Sequence, residues 1–94
     1  MTEKEKLGKH LLSLREKIPS IDYNKNNISQ QELADNNIGL TKFLIGTSER
    51  GHANPTLDKL VLMAKALNLE KLSLFEIEIN VDKYLKELEY KKTK

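Results

Sequence analysis

The segment Thr41-Lys-Phe-Leu-Ile-Gly-Thr-Ser-Glu-Arg50 sets two threonine hydroxyls, an ammonium, an aromatic ring and a guanidinium along one short stretch. At about 100° per residue, a helix with its inward side centred on Ile45 carries Ser48 and Glu49 beside it and turns Phe43, Thr47 and Arg50 outward. Hydroxyl and guanidinium groups contact base edges in the major groove of duplex DNA, and apolar carbon favours the thymine methyl. Lys42 follows Thr41 at the positive end of the helix, which suits a phosphate or a guanine edge. Each residue also has a plainer reading. Phe43 can cover neighbouring core, Lys42 and Arg50 can be solvated charges, and Thr41 is first of all a helix cap. Gly46 destabilises such a helix by about 1 kcal/mol relative to Ala, so a close approach by a neighbour is expected there.

Catalytic chemistry finds no comparable footing. His10 and His52 have no carboxylate or second His at ligand spacing, no Gly-rich phosphate loop sits at a strand–helix junction, and no Ser, His and acid grouping suggests a triad. No catalytic residue, metal ligand or cofactor is therefore expected, and the chain is read as something other than an enzyme.

The elements that must hold Lys42, Phe43 and Arg50 in place can be read from caps and periodicity. Leu7, Leu11, Leu14 and Ile18 recur at helical spacing and predict a first helix that Pro19 stops. The turn-forming residues from Ser20 to Asn27 predict a loop. Ser29 with Glu32 reads as a capping box, and Ile28 with Leu33 as a hydrophobic staple, so a second helix starts there and runs to about Asn36. Asn37-Ile-Gly39 reverses the chain. Thr41 caps a third helix, Leu40 and Ile45 staple it, and Gly51 ends it. Asn54-Pro-Thr56 launches a fourth helix with Leu57, Leu60, Val61, Ala64 and Leu67 on one face, Met63 in the core and Asn68 at its close. A short helical turn is expected within Leu69 to Phe75, then a strand over Glu76 to Ile79. A last helix follows, capped by Asn80, with Val81, Tyr84, Leu85 and Leu88 as its apolar stripe.

Ninety-four residues, 38% hydrophobic and 32% charged, make one globular module too small for a large buried active-site cavity. The formal charge of +2 is a weak argument for a polyanionic partner, since nucleic-acid binders often carry more. Cysteine is absent, which removes disulfides and thiolate metal sites. The longest apolar run, Leu60-Val-Leu-Met-Ala64, is far too short to cross a bilayer, and a cytoplasmic protein with no membrane partner is expected.

From Leu7 to about Phe75 the chain resembles the phage-repressor-like (XRE) helix-turn-helix family of DNA-binding regulators. The resemblance is carried by Leu14-Arg15, Ser29-Gln-Gln-Glu-Leu-Ala34, Gly39, Ile45-Gly46, Glu49-Arg-Gly51, Asn54-Pro-Thr-Leu57, Ala64-Lys-Ala-Leu67 and Leu74-Phe75. The chain departs from the family pattern in a longer loop after the first helix, one extra residue between Ala34 and Gly39, and Ser48 where the family buries Ile or Leu. Ser48 predicts a small packing deficit, or a hydroxyl bonded back into its own helix.

The resemblance implies an all-α, five-helix lambda-repressor-like domain over residues 1–75; beyond its reach, the short strand and extra helix over 76–94 are read from their own residues as a candidate dimerisation segment. It implies sequence-specific binding of double-stranded DNA by a transcriptional repressor, with the helix at about 41–50 in the major groove. Gln30, Thr41, Lys42, Phe43, Thr47, Arg50, His52 and Asn54 are the expected DNA contacts. Gln30 would touch phosphate and brace the recognition helix, His52 and Asn54 would follow the DNA backbone, and Arg15 with Glu49 would form an inward-facing structural ion pair. A homodimer is expected, because one small module touches few base pairs. Ile77, Ile79, Val81, Tyr84, Leu85 and Leu88 would form its interface, Glu76 to Ile79 pairing with the symmetry mate or a loop; packing of the last helix on its own domain is the plain alternative. The rival function is a protein-interaction module, an antitoxin or adaptor of the same fold whose partner is a toxin or another protein.

Overall fold

The computed structural model describes residues 1–21 and 27–92, so the loop expected over 20–27 lies partly outside the described residues. Helix α1 (Glu3–Arg15) opens on a capping box: the Thr2 hydroxyl accepts from the Glu5 N–H, and the Glu5 carboxylate accepts from the Thr2 N–H. The helix ends before Pro19, because the N–H groups of Lys17 and Ile18 tighten onto Leu14 and Arg15 and swing Ile18 into the core. Leu7, expected on the buried stripe, is half exposed.

Helices α2 (Gln30–Asp35) and α3 (Lys42–Glu49) flank the reversal at Gly39, whose φ of 95° suits a residue without a side chain. The Lys59 ammonium donates to the Gly39 carbonyl at 2.6 Å and fastens this turn to the next helix. Ser29 caps α2 by accepting from the Glu32 N–H, but the capping box expected with Glu32 is only half made. The Glu32 carboxylate is 1% exposed and accepts from the Ser20 hydroxyl at 2.6 Å and the Ile21 N–H at 3.0 Å. A buried carboxylate is stable only among donors, and the chain after Pro19 supplies them.

Helix α4 (Leu57–Ala66) is buried on two sides instead of the one expected from its spacing. Met63 and Ala66, with Leu67 just beyond the helix, join Ile28, Leu33, Ala34, Leu40 and Ile45 in the main core. Val61 and Ala64 form a second cluster with Val81. Asn68, at φ 64°, ends the helix in a Schellman reversal, with the Leu69 N–H donating to Ala64 and the Asn68 N–H to Lys65.

The segment after Asn68 holds the largest departure from expectation. Strand β1 (Lys71–Leu74) replaces the expected helical turn, so the chain is mostly helical but not all-α, and among the described residues four helices, where five were expected, precede the C-terminal extension. It pairs antiparallel with β2 (Ile77–Asn80) of the same chain, in place of the pairing expected with a symmetry mate or a loop. The cross-strand pairs Leu72 with Ile79 and Leu74 with Ile77 share one face, and the first of these pairs packs on the second cluster. Phe75 and Glu76 make the two-residue turn at φ 51° and 68°, the mirror-image geometry that matches strand twist.

Helix α5 (Val81–Lys92) starts directly after β2 and is capped by Asn80, whose side chain accepts from the Lys83 N–H. Val81 is fully buried against Val61 and Ala64, and Ile79, Tyr84 and Leu85 pack on the same cluster. Those four of the six residues assigned to a dimer interface thus cover their own domain. The boundary expected between residues 75 and 76 falls inside the hairpin turn. The Tyr84 hydroxyl donates to Asp58 at the start of α4; that bond, then burial and the Asp58 charge, push the phenol above its ordinary value. The contribution of this bond is therefore present below the usual tyrosine range and lost as pH rises through the raised value.

Candidate nucleic-acid interface

Helix α3 is held from both ends and from beneath. Thr41 accepts from the Leu44 N–H at 3.0 Å, and the far end closes in a second Schellman reversal, His52 N–H to Thr47 and Gly51 N–H to Ser48. Ile45, 4% exposed, anchors the inward side in the main core. Beside it Glu49 meets Arg15 in a forked pair, Nε to Oε2 at 2.6 Å and Nη2 to Oε1 at 3.0 Å, with both side chains almost buried. Arg15 also donates to the Ile28 carbonyl at 2.8 Å, and Gln30 Nε2 donates to Glu49 Oε1 at 2.8 Å. One carboxylate therefore fixes α3 to α1 and to the first residue of α2.

Two glycines that sequence reasoning passed over, or took only as a stop signal, let α1 come this close. A Cβ on Gly8 would lie 2.4 Å from the Glu49 carbonyl oxygen, and one on Gly51, at φ 77°, would lie 2.8 Å from the Glu5 nitrogen. The sequence offered only a glycine inside a helix, which signals a packing reason without naming the partner.

The outward side of α3 is open. Lys42 and Arg50 are exposed and the Phe43 ring is 77% exposed, turned away from the core. Gln30, Lys42, Phe43, Gly46 and Arg50 together line an open depression of about 300 Å³. Gly46 is its floor: a Cβ there would meet Gln30 Oε1 at 3.0 Å and Arg50 Nη1 at 3.2 Å. The neighbour that comes close to Gly46 is thus a pair of side chains, not another backbone. Because the Gln30 amine is taken by Glu49, the amide presents its carbonyl oxygen, an acceptor, toward Gly46.

The Thr47 hydroxyl lies 2.8 Å from the Phe43 carbonyl and 3.1 Å from that of Leu44, so it donates inward and offers only lone pairs outward. Thr41 is a cap at the exposed start of the helix. His52 and Asn54 are exposed in the connection to α4 and do not line the depression. The Glu5 carboxyl is held below its ordinary range by the Thr2 backbone N–H and then the Thr2 hydroxyl.

Ser48 sits on the inward side, 8% exposed, and its hydroxyl has no hydrogen-bond partner among the described residues. It is not bonded back into its own helix. A void of about 10 Å³ adjoins it, bordered by Leu11, Leu33 and Met63. A buried hydroxyl without a partner costs about 1–3 kcal/mol, so Ser48→Ala should raise stability by about 1 kcal/mol in urea denaturation. An unchanged or lowered midpoint would show that the hydroxyl is satisfied in solution.

Among the described residues no group of three or more His, Asp or Glu side chains is placed to hold a metal ion, and no helix is long and apolar enough to cross a membrane. No protein-family model matches the chain, and no solved structure matches it. Part of the chain is similar to the control protein C.SmaI of Serratia marcescens, with 49% identity over 45 residues, a stretch that is 48% of this chain and 52% of that protein. The similarity thus spans about half the length of each.

Proposed function

We propose that the chain is a sequence-specific regulator of transcription, a repressor that binds double-stranded DNA as a homodimer and lays α3 in the major groove. The observation that carries this reading is the outward side of α3, where Lys42, Phe43 and Arg50 stand exposed while the helix's one carboxylate, Glu49, is turned inward onto Arg15. A helix entering the groove has to present donors and apolar carbon and keep acids away from phosphate. Similarity to a protein described as a control protein supports a regulatory role.

Pairing follows from size, since two modules related by a two-fold axis double the bases touched and read half-sites about one helical turn apart. Of the six residues first assigned to the interface, Ile77, 65% exposed, and the partly exposed Leu88 remain open to a second copy.

Binding of the full chain to a random duplex pool at rising salt tests the reading, followed by sequencing of the bound fraction. Log affinity should fall with log salt at about −0.9 per phosphate neutralised, Lys42→Ala or Arg50→Ala should reduce the slope by about one, and the selected duplexes should contain an inverted repeat. No binding at low salt, or a flat salt response, would leave the interaction module, an antitoxin or adaptor with a protein partner. The exposed Phe43 ring and the charge of only +2 speak for that second reading.

A further inference from the structure

The depression over Gly46 combines two features that select between base pairs. Phe43 gives it an apolar wall that stands largely uncovered among the described residues. The major groove has one apolar group to offer such a wall, the 5-methyl of thymine. Gln30 gives it an acceptor, held in orientation by the hydrogen bond from its own amine to Glu49. In the groove that acceptor is matched by the exocyclic amine of adenine or of cytosine. Methyl and amine occur together only on an A·T pair, because a G·C pair carries the amine without a methyl.

We propose that this depression reads one A·T base pair in each half-site, with the thymine methyl against the Phe43 ring and the adenine amine donating to Gln30 Oε1. Gly46 is then a specificity residue: a side chain there would press on Gln30 Oε1 at 3.0 Å and Arg50 Nη1 at 3.2 Å and turn the acceptor away from the base edge. Lys42 and Arg50, which also line the depression, supply charge to the flanking phosphates. The inference rests on the DNA-binding reading and adds the identity of the base pair.

The probe is the duplex selected from the random pool, with its thymines replaced by deoxyuridine one symmetric pair at a time, so that only a methyl is lost. At one such pair of positions the unmodified chain should lose affinity about 10- to 15-fold, the worth of two buried methyls, one in each half-site. Phe43→Ala should bind the thymine and deoxyuridine forms equally. Gly46→Ala should keep its fold by circular dichroism and thermal melting, because the atoms its methyl meets are ends of side chains, and should also lose the preference. A chain that binds the selected duplex with no methyl-dependent position, or a preference that persists in Phe43→Ala, overturns the base-pair assignment and leaves DNA binding standing. Absence of any duplex binding at low salt overturns both.

Discussion

Glu49→Ala should cost the domain about 3–5 kcal/mol, the range for removing one partner of a buried ion pair. The carboxylate accepts from Arg15 through both oxygens and from Gln30 through one, and the two charged side chains are 12% and 8% exposed. Removing it strands a guanidinium in the interior and frees the Gln30 amide. The attraction between the charges is largely offset by their desolvation, so the loss measures the orphaned charge more than the value of the pair. The double variant Arg15→Met with Glu49→Leu should accordingly be more stable than either single variant, with a coupling above about 1 kcal/mol in urea denaturation. Additive losses would mean that Arg15 and Glu49 do not support one another.

Gly8→Ala should be nearly as severe, a net loss of about 2–3 kcal/mol despite the gain in helix propensity. The three atoms nearest its added methyl, Glu49 O at 2.4 Å, Ser48 O at 2.7 Å and Glu49 C at 2.8 Å, are all backbone of α3 and cannot swing aside. Either α1 or α3 must move, and the forked Arg15–Glu49 pair spans the same crossing. At about 4–8 °C per kcal/mol for a chain of this size, the melting temperature should fall by roughly 10–20 °C. A fall of about 2 °C or less would show that the two helices do not cross so closely. Gly46→Ala is the internal contrast, since there the added methyl meets a glutamine amide and a guanidinium.

What the sequence made legible was local. Ser29, Thr41 and Gly51 act within a few residues of themselves, and a hydroxyl before a helix or a glycine after it means much the same in any fold. The outward placement of Phe43 followed from helical period once Ile45 was taken as inward. The pairing of Arg15 with Glu49 had no local signal and came from family resemblance alone. Gly8 looked like any helical glycine because its reason lies in the carbonyls of another helix. Glu32 was assigned to the nearest N–H, yet the donors that reach it come from the chain after Pro19. Strand β1 was missed because Lys-Leu-Ser-Leu is too short to show a period, and its turn, Phe75-Glu76, lacks the Asn or Gly that usually marks a tight hairpin. The two-sided burial of α4 was hidden for a related reason: a single stripe satisfies the spacing until the returning hairpin and α5 cover the second side.

That shared helix also determines how the molecule comes apart. Val61 and Ala64 belong to one cluster and Met63 and Ala66 to the other, so the hairpin and last helix cannot detach without stripping apolar cover from a helix that also walls the opposite core. The amide protons in the middle of that helix should therefore exchange with solvent only when the whole chain opens, and the two halves of the molecule melt as one cooperative unit.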